Sequence, residues 1–263
     1  MTDRSVPVRT TVDGQTLVVT LDRPKANAVD APTSRELYEA FARLRDDPAL
    51  RVGILTGGGE RFFSAGWDLK AAAAGERPDA DWGAGGFAGN TELFDLDKPV
   101  IAAVNGLAMG GGFELALACD LMLVADHAEM ALTEARLGLV ADAGGMMRLQ
   151  NRLPRAVAVE LLLTGRRIDA QEGVRWGLAN AAVPLPDLMP SARALAATIC
   201  EAAPLSVAAV LEVLRETEGL SVPDGFARLR SGLPAYSRVG ESLDAREGAR
   251  AFVEKRPPRW QGR

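Results

Sequence analysis

The chain has 263 residues, 48% hydrophobic and 25% charged, with a net charge of −5. Those proportions fit a soluble globular protein with one large domain, or a domain plus a small appendage. The acidic balance argues against general affinity for nucleic acid or anionic membranes. No apolar run approaches the roughly 20 residues a spanning helix needs.

The opening residues, Met1 to Ser5, contain no hydrophobic segment of the kind a signal peptide carries. Cys119 and Cys200 form neither a CxxC motif nor a disulfide framework, so a cytoplasmic location is expected. His127 is the only histidine and sits in a polar turn, which leaves no supply for histidine-rich metal sites.

Residues 6–21 read as a β-hairpin turning at Asp13-Gly14. A loop of breakers and cations, Asp22 to Ala28, leads to Asp30, which can cap a helix carrying Leu37, Phe41 and Leu44 at i, i+4 and i+7. Val52 to Thr56 is a buried strand. Gly66 permits a reversal before a helix over 68–74, and residues 75–92 read as an exposed loop.

Strand 99–104 meets the glycine run Gly110 to Gly112, which opens a helix over 112–119. Strands at Leu121–Ala125 and Met130–Leu132 follow, the second delivering Glu134 to a turn. Gly144-Gly145 and Pro154 open two further helices, the second closed by Gly165. Asp169 caps a third that runs to Trp176. From Asp187 to Glu247 the chain reads as largely helical, interrupted at Pro204, Pro223 and Pro234, and it ends in a basic tail. The expected organisation is a β/α core over 1–195 and a helical region over 196–263.

The two glycine turns, at 65–67 and 110–112, each follow an apolar strand and precede a helix. If neighbouring strands set them side by side, their N–H groups converge on one oxygen and suit a carbonyl acquiring enolate character. Glu114 and Glu134 could flank that point, one as a base towards water and the other exchanging a proton with carbon. A glycine turn that only closes a strand–helix unit fits the same residues. A Rossmann fingerprint fails because Leu115 stands where the third glycine is required. Walker A lacks its Gly-Lys-Ser/Thr, and Phe62 replaces the first glycine of a nucleophile elbow around Ser64.

Several stretches together resemble the crotonase, or enoyl-CoA hydratase/isomerase, superfamily. They are Leu21-Asp-Arg-Pro-Lys-Ala-Asn-Ala28, Phe63-Ser-Ala-Gly-Trp-Asp-Leu-Lys70, Lys98 to Gly106, Gly110-Gly-Gly-Phe-Glu114 and Leu163-Thr-Gly-Arg-Arg167. Phe63 to Ala73, Gly85-Gly-Phe-Ala-Gly89, Trp176-Gly177 and the closing Glu254 to Arg263 are most similar to its carnitine-thioester branch.

The resemblance implies an α/β fold: a crotonase-type spiral of ββα units followed by a C-terminal helical trimerisation region, giving a homotrimer or a dimer of trimers. It implies a hydro-lyase acting on a trans-2-enoyl-CoA, in this branch the crotonobetainyl-CoA/L-carnitinyl-CoA pair. The thioester carbonyl would lie between the N–H groups of Trp67 and Gly111, with Glu114 and Glu134 catalytic. CoA contacts fall on Lys25, Ala26, Ala65, Asp68, Leu69 and Lys70, with Arg23, Lys25 or the tail facing its phosphates. Coenzyme A enters as part of the acyl-CoA substrate, and no metal, permanently bound cofactor, nucleic acid or membrane partner is implied. A double-bond isomerase and a non-catalytic acyl-CoA- or RNA-binding protein are the other activities this fold admits. The sequence departs from the branch pattern at Leu107, Met109 and Ala141, where a proline is common at the last; these changes are expected near the acyl pocket.

Overall fold

The computed structural model describes residues 6–263. The Asp13-Gly14 turn joins β1 (Val8–Asp13) to β2 (Thr16–Leu21) as an antiparallel hairpin. After β3 (Ala28–Val29), Asp30 caps α1 (Ala31–Asp46) by accepting a hydrogen bond from the Thr33 N–H at 3.0 Å. Leu37, Phe41 and Leu44 lie fully buried on the face of α1 that their spacing defines. Next come β4 (Val52–Gly57), β5 (Phe62–Ser64), β6 (Gly66–Trp67) and the short α2 (Leu69–Ala73).

β7 (Val100–Val104) and β8 (Leu107–Met109) lead into α3 (Gly111–Leu117), followed by β9 (Leu121–Ala125) and β10 (Glu129–Ala131). The chain continues through α4 (Gly145–Arg152), α5 (Arg155–Thr164), β11 (Ile168–Asp169), α6 (Ala170–Arg175) and β12 (Ala181–Val183). It finishes with α7 (Leu185–Cys200), α8 (Pro204–Thr217), α9 (Val222–Arg230), α10 (Pro234–Val239) and α11 (Leu243–Glu254).

Six strands pair in the order β1-β2-β4-β7-β9-β12, all parallel except the opening hairpin. Every residue of β4 and β7 is buried, which explains why both read as unbroken small and apolar runs rather than alternating ones. α7 packs against β4, β7 and β9 and closes one face of this sheet. A second sheet runs β11-β10-β8-β5, and a third pairs β3 with β6. No single helix among the described residues is long and apolar enough to cross a membrane.

Four expectations change. A strand, β8, lies between the Asn105-Gly106 break and the glycine run, where the sequence shows only three residues flanked by glycine. Residues 75–92 are not exposed throughout: Gly85 to Thr91 are buried, with Phe87–Gly89 forming a 3-10 turn packed on α1. The junction expected at 195/196 falls inside α7, whose Ala196 is still in the core, and the chain breaks instead over residues 201–203. Pro204, Pro223 and Pro234 begin helices rather than interrupt them, because the first turn has no use for the N–H that proline lacks.

Candidate active site

β5, β8 and β10 run parallel, so their carboxyl ends reach one edge of the second sheet. Ligands collect at such edges because the turns leaving parallel strands open there. β5 delivers Ala65 to Trp67, β8 delivers Gly110 to Gly112, and β10 delivers Thr133 and Glu134. The Gly110 N–H donates to the Ala131 carbonyl at 2.8 Å, tying the second turn to the third. The two glycine turns do lie side by side. Gly66 has φ +79°, and a Cβ there would stand 2.7 Å from the Gly111 nitrogen and 3.0 Å from that of Gly112. Those N–H groups open a helix and have no intrahelical acceptor. Trp67 is anchored through its indole, which donates to Glu76 Oε1 at 2.8 Å.

A cavity of about 530 Å³ opens over these turns, within the range of small-molecule sites. Glu114, Glu134, Trp67, Gly111, Ala65 and Leu69 all line it. Glu114 is 3% exposed, and its Oε1 accepts the Gly145 N–H at 2.8 Å. Glu134 lies in a 3-10 turn over Glu134–Leu137, and its Oε2 is buried without a hydrogen-bond partner. Burial pushes the Glu114 carboxyl up to about 8, with the charges of Glu134 and Asp142 adding to the rise and the Gly145 N–H opposing it. Burial, aided by Asp142, also raises Glu134. Two carboxyls with enhanced proton affinity thus share one cavity with backbone donors.

Lys25, Ala26, Asp68 and Lys70 do not line this cavity. Ala26 sits beside it, its carbonyl accepting the Ala65 N–H at 2.9 Å, while Lys25 and Lys70 are exposed. Asp68 caps α2 and pairs with Arg23, whose second arm holds Asp30 at 2.6 Å. In the tail, Arg256 is bound to Glu247 and Glu254. Leu107 and Met109 also lie off the cavity wall; Val140 and Asp142, flanking Ala141, are on it.

The structure adds residues that the sequence reading did not single out. Gly145 brings its N–H against Glu114 because a side chain there would collide: a Cβ would come within 2.9 Å of Glu114 Oε1. Its place in a Gly-Gly helix start is the one sequence signal that pointed to a donor. Phe87 packs so closely on Gly111 that a Cβ there would lie 2.5 Å from the ring. Trp82, Glu92 and Asp142 complete much of the wall. Among the described residues no group of three or more His, Cys, Asp and Glu side chains could hold a metal ion.

The raised proton affinity of Glu114 makes stability fall with pH. Between about 4.5 and about 8 the folded chain keeps a proton that the unfolded chain has released. Raising pH through that window therefore favours unfolding, by a few kcal/mol in total. Glu114→Gln keeps an acceptor for the Gly145 N–H and removes the titration. Urea unfolding between pH 5 and pH 9 should show a shallower decline for the variant; equal slopes would refute this account.

The Enoyl-CoA hydratase/isomerase family matches residues 12–263. A carnitinyl-CoA dehydratase of Proteus mirabilis (strain HI4320) is 61% identical over 254 residues, covering 96% of this chain and 97% of that protein. A carnitinyl-CoA dehydratase of Citrobacter koseri is 60% identical over 251 residues, covering 95% and 96%. The crystal structure of an enoyl-CoA hydratase from Mycobacterium tuberculosis H37Rv superposes with a TM-score of 0.88 at 42% identity, covering 98% of this chain and 99% of the other. The similarity runs along nearly the whole chain, which belongs to the enoyl-CoA hydratase/isomerase family.

Proposed function

We propose that the chain is a hydro-lyase that interconverts crotonobetainyl-CoA and L-carnitinyl-CoA. Enoyl-CoA hydration and its reverse is the chemistry of the family and of its named relatives. The observation that carries the reading is the placing of two carboxyls of raised proton affinity around adjoining backbone donors in one cavity.

The thioester oxygen binds the N–H groups of Trp67 and Gly111, which stabilise the negative charge it gains as the α-carbon becomes enolate-like. In hydration, the oxygen of water bonds to the β-carbon and one of its protons passes to the carboxylate pair. A proton from Glu134 bonds to the α-carbon, and Glu114 positions the water with it. Dehydration retraces these steps. The two glutamates exchange protons as a coupled pair.

The ester-like acidity needed at the α-carbon comes from the thioester itself, so coenzyme A serves as the substrate's own carrier. In this reading Ala26, Ala65, Asp68 and Leu69 frame its entry, and the exposed Lys25 and Lys70 face its phosphates. A homotrimer or dimer of trimers fits the apolar side chains left exposed on α9 and α11: Val222, Phe226, Phe252 and Val253.

The test is a substrate panel followed by enoyl absorbance. kcat/KM for crotonobetainyl-CoA is expected to exceed that for crotonyl-CoA by at least about tenfold, or about 1.4 kcal/mol of differential transition-state binding. Preference for crotonyl-CoA would overturn the substrate assignment. Turnover confined to 3-enoyl thioesters would overturn hydration itself.

A further inference from the structure

The cavity has a charge composition that the hydration chemistry does not require. Five acidic residues line it, Asp79, Glu92, Glu114, Glu134 and Asp142, of which Glu114 and Glu134 hold their protons more tightly, and no lysine or arginine does. Asp79 is neutralised by Arg77 at 2.7 Å, whereas Glu92 and Asp142 form no ion pair among the described residues. The wall beside the oxyanion turns is aromatic. Phe87 rests on Gly111, and Trp82 meets Phe87 with ring centroids 5.0 Å apart and planes at 73°. The rings meet edge to face in a corner, leaving uncovered the π-faces that the partner ring's edge does not occupy, and such faces suit a cation without hydrogen-bond donors.

The corner is built in advance of any ligand. Ser34 Oγ donates to the carbonyls of Trp82 and Gly86 at 2.8 and 3.0 Å, and Thr91 Oγ1 donates to the Phe87 carbonyl at 2.8 Å. The Glu92 N–H donates to the Gly85 carbonyl at 2.8 Å, and the Trp82 indole to the Pro78 carbonyl at 2.9 Å. Glu92 lies over Gly86, where a Cβ would stand 2.8 Å from its Oε1. The backbone of Glu92 is therefore tied to the same buried segment, residues 85–91, that carries Phe87.

We infer that Trp82, Phe87 and Glu92 form a subsite for the quaternary ammonium end of the acyl group. The inference rests on the carnitine-thioester reading above and assigns the residues that would enforce it. In crotonobetainyl-CoA the ammonium nitrogen is four bonds from the thioester carbonyl carbon. With that carbonyl at Gly111, against which Phe87 packs, we place the head group on the wall that begins at Phe87. A trimethylammonium carries no N–H, so recognition must come from π-faces and an unpaired carboxylate, and this wall supplies both. A neutral acyl group of the same shape gains only the contact and leaves Glu92 without a counter-charge.

The test compares crotonobetainyl-CoA with 5,5-dimethylhex-2-enoyl-CoA, its neutral isostere, in the wild-type protein and in Trp82→Leu, Trp82→Phe and Glu92→Gln. The readout is the ratio of kcat/KM for the cation to that for the isostere. Trp82→Leu and Glu92→Gln are each expected to lower that ratio by about tenfold, in line with the loss of one cation–π or charge contact. Trp82→Phe should retain most of it. Glu92 is exposed, so its variant gives an answer even if Trp82→Leu fails to fold. A wild-type preference for the cation that survives both Trp82→Leu and Glu92→Gln would overturn the subsite and leave the substrate assignment standing. A wild type with no preference for the cation would overturn both.

Discussion

Glu114→Gln and Glu134→Gln are each expected to lower kcat for hydration by about a thousandfold or more, at the upper end of what general acid–base groups contribute. Both substitutions preserve side-chain volume. At 114 the amide oxygen can still accept the Gly145 N–H, so the geometry of α3 and α4 is retained. At 134 the buried Oε2 has no partner to lose. Folding should therefore survive, and above pH 8 the Glu114 variant should be the more stable protein, because a buried charge has been removed. Groups that share a proton act as a unit, so the double variant should be little worse than the poorer single one. Steady-state rates beside denaturation curves check this. Near-normal turnover in a folded variant would remove that glutamate from the chemistry.

Much of this site was legible because its parts leave local marks. Asp13-Gly14, the spacing of Leu37, Phe41 and Leu44, and the capping Asp30 specify their elements within a few residues, and the structure holds each in place. The glycine turns could be read singly, but their adjacency depends on β5 and β8 pairing across more than forty residues of chain. That pairing is a long-range contact with no local signal. The burial of segment 85–91 leaves no local mark in the sequence for a related reason. Its glycines and alanines show no period, and its burial comes from backbone approaching α1 so closely that a Cβ at Gly89 would stand 2.2 Å from the Tyr38 nitrogen. Composition rich in Gly and Ala describes exposed loops and tight backbone packing equally well. The aromatic corner is hidden by the same ambiguity, since Trp82 and Phe87 are brought to the site only by the packing of Phe87 on Gly111. The positions of departure fared unevenly: Leu107 faces Phe62 in the sheet pairing and stays off the cavity, whereas the stretch around Ala141 does reach it.

Gly66→Ala should disable the enzyme by a different route, through the backbone. A Cβ at this position would come within 2.7 Å of both the Gly111 nitrogen and the Met109 carbonyl oxygen. Neither atom belongs to a side chain that can swing away, so β6 and the start of α3 must move apart. That separation draws the N–H groups of Trp67 and Gly111 off a common oxygen, and loss of one such donor costs about a hundredfold to a thousandfold in kcat. Stability should fall as well, by roughly 2–4 kcal/mol, from the left-handed conformation at φ +79° together with the overlap. Gly59→Ala separates these contributions. Gly59 has nearly the same φ, +77°, yet a Cβ there meets nothing within 4 Å. Its variant should lose only about 1–2 kcal/mol and keep its turnover, since it bears the dihedral cost alone. If Gly66→Ala matched Gly59→Ala in both stability and rate, the close approach of the two turns would have no part in holding the thioester.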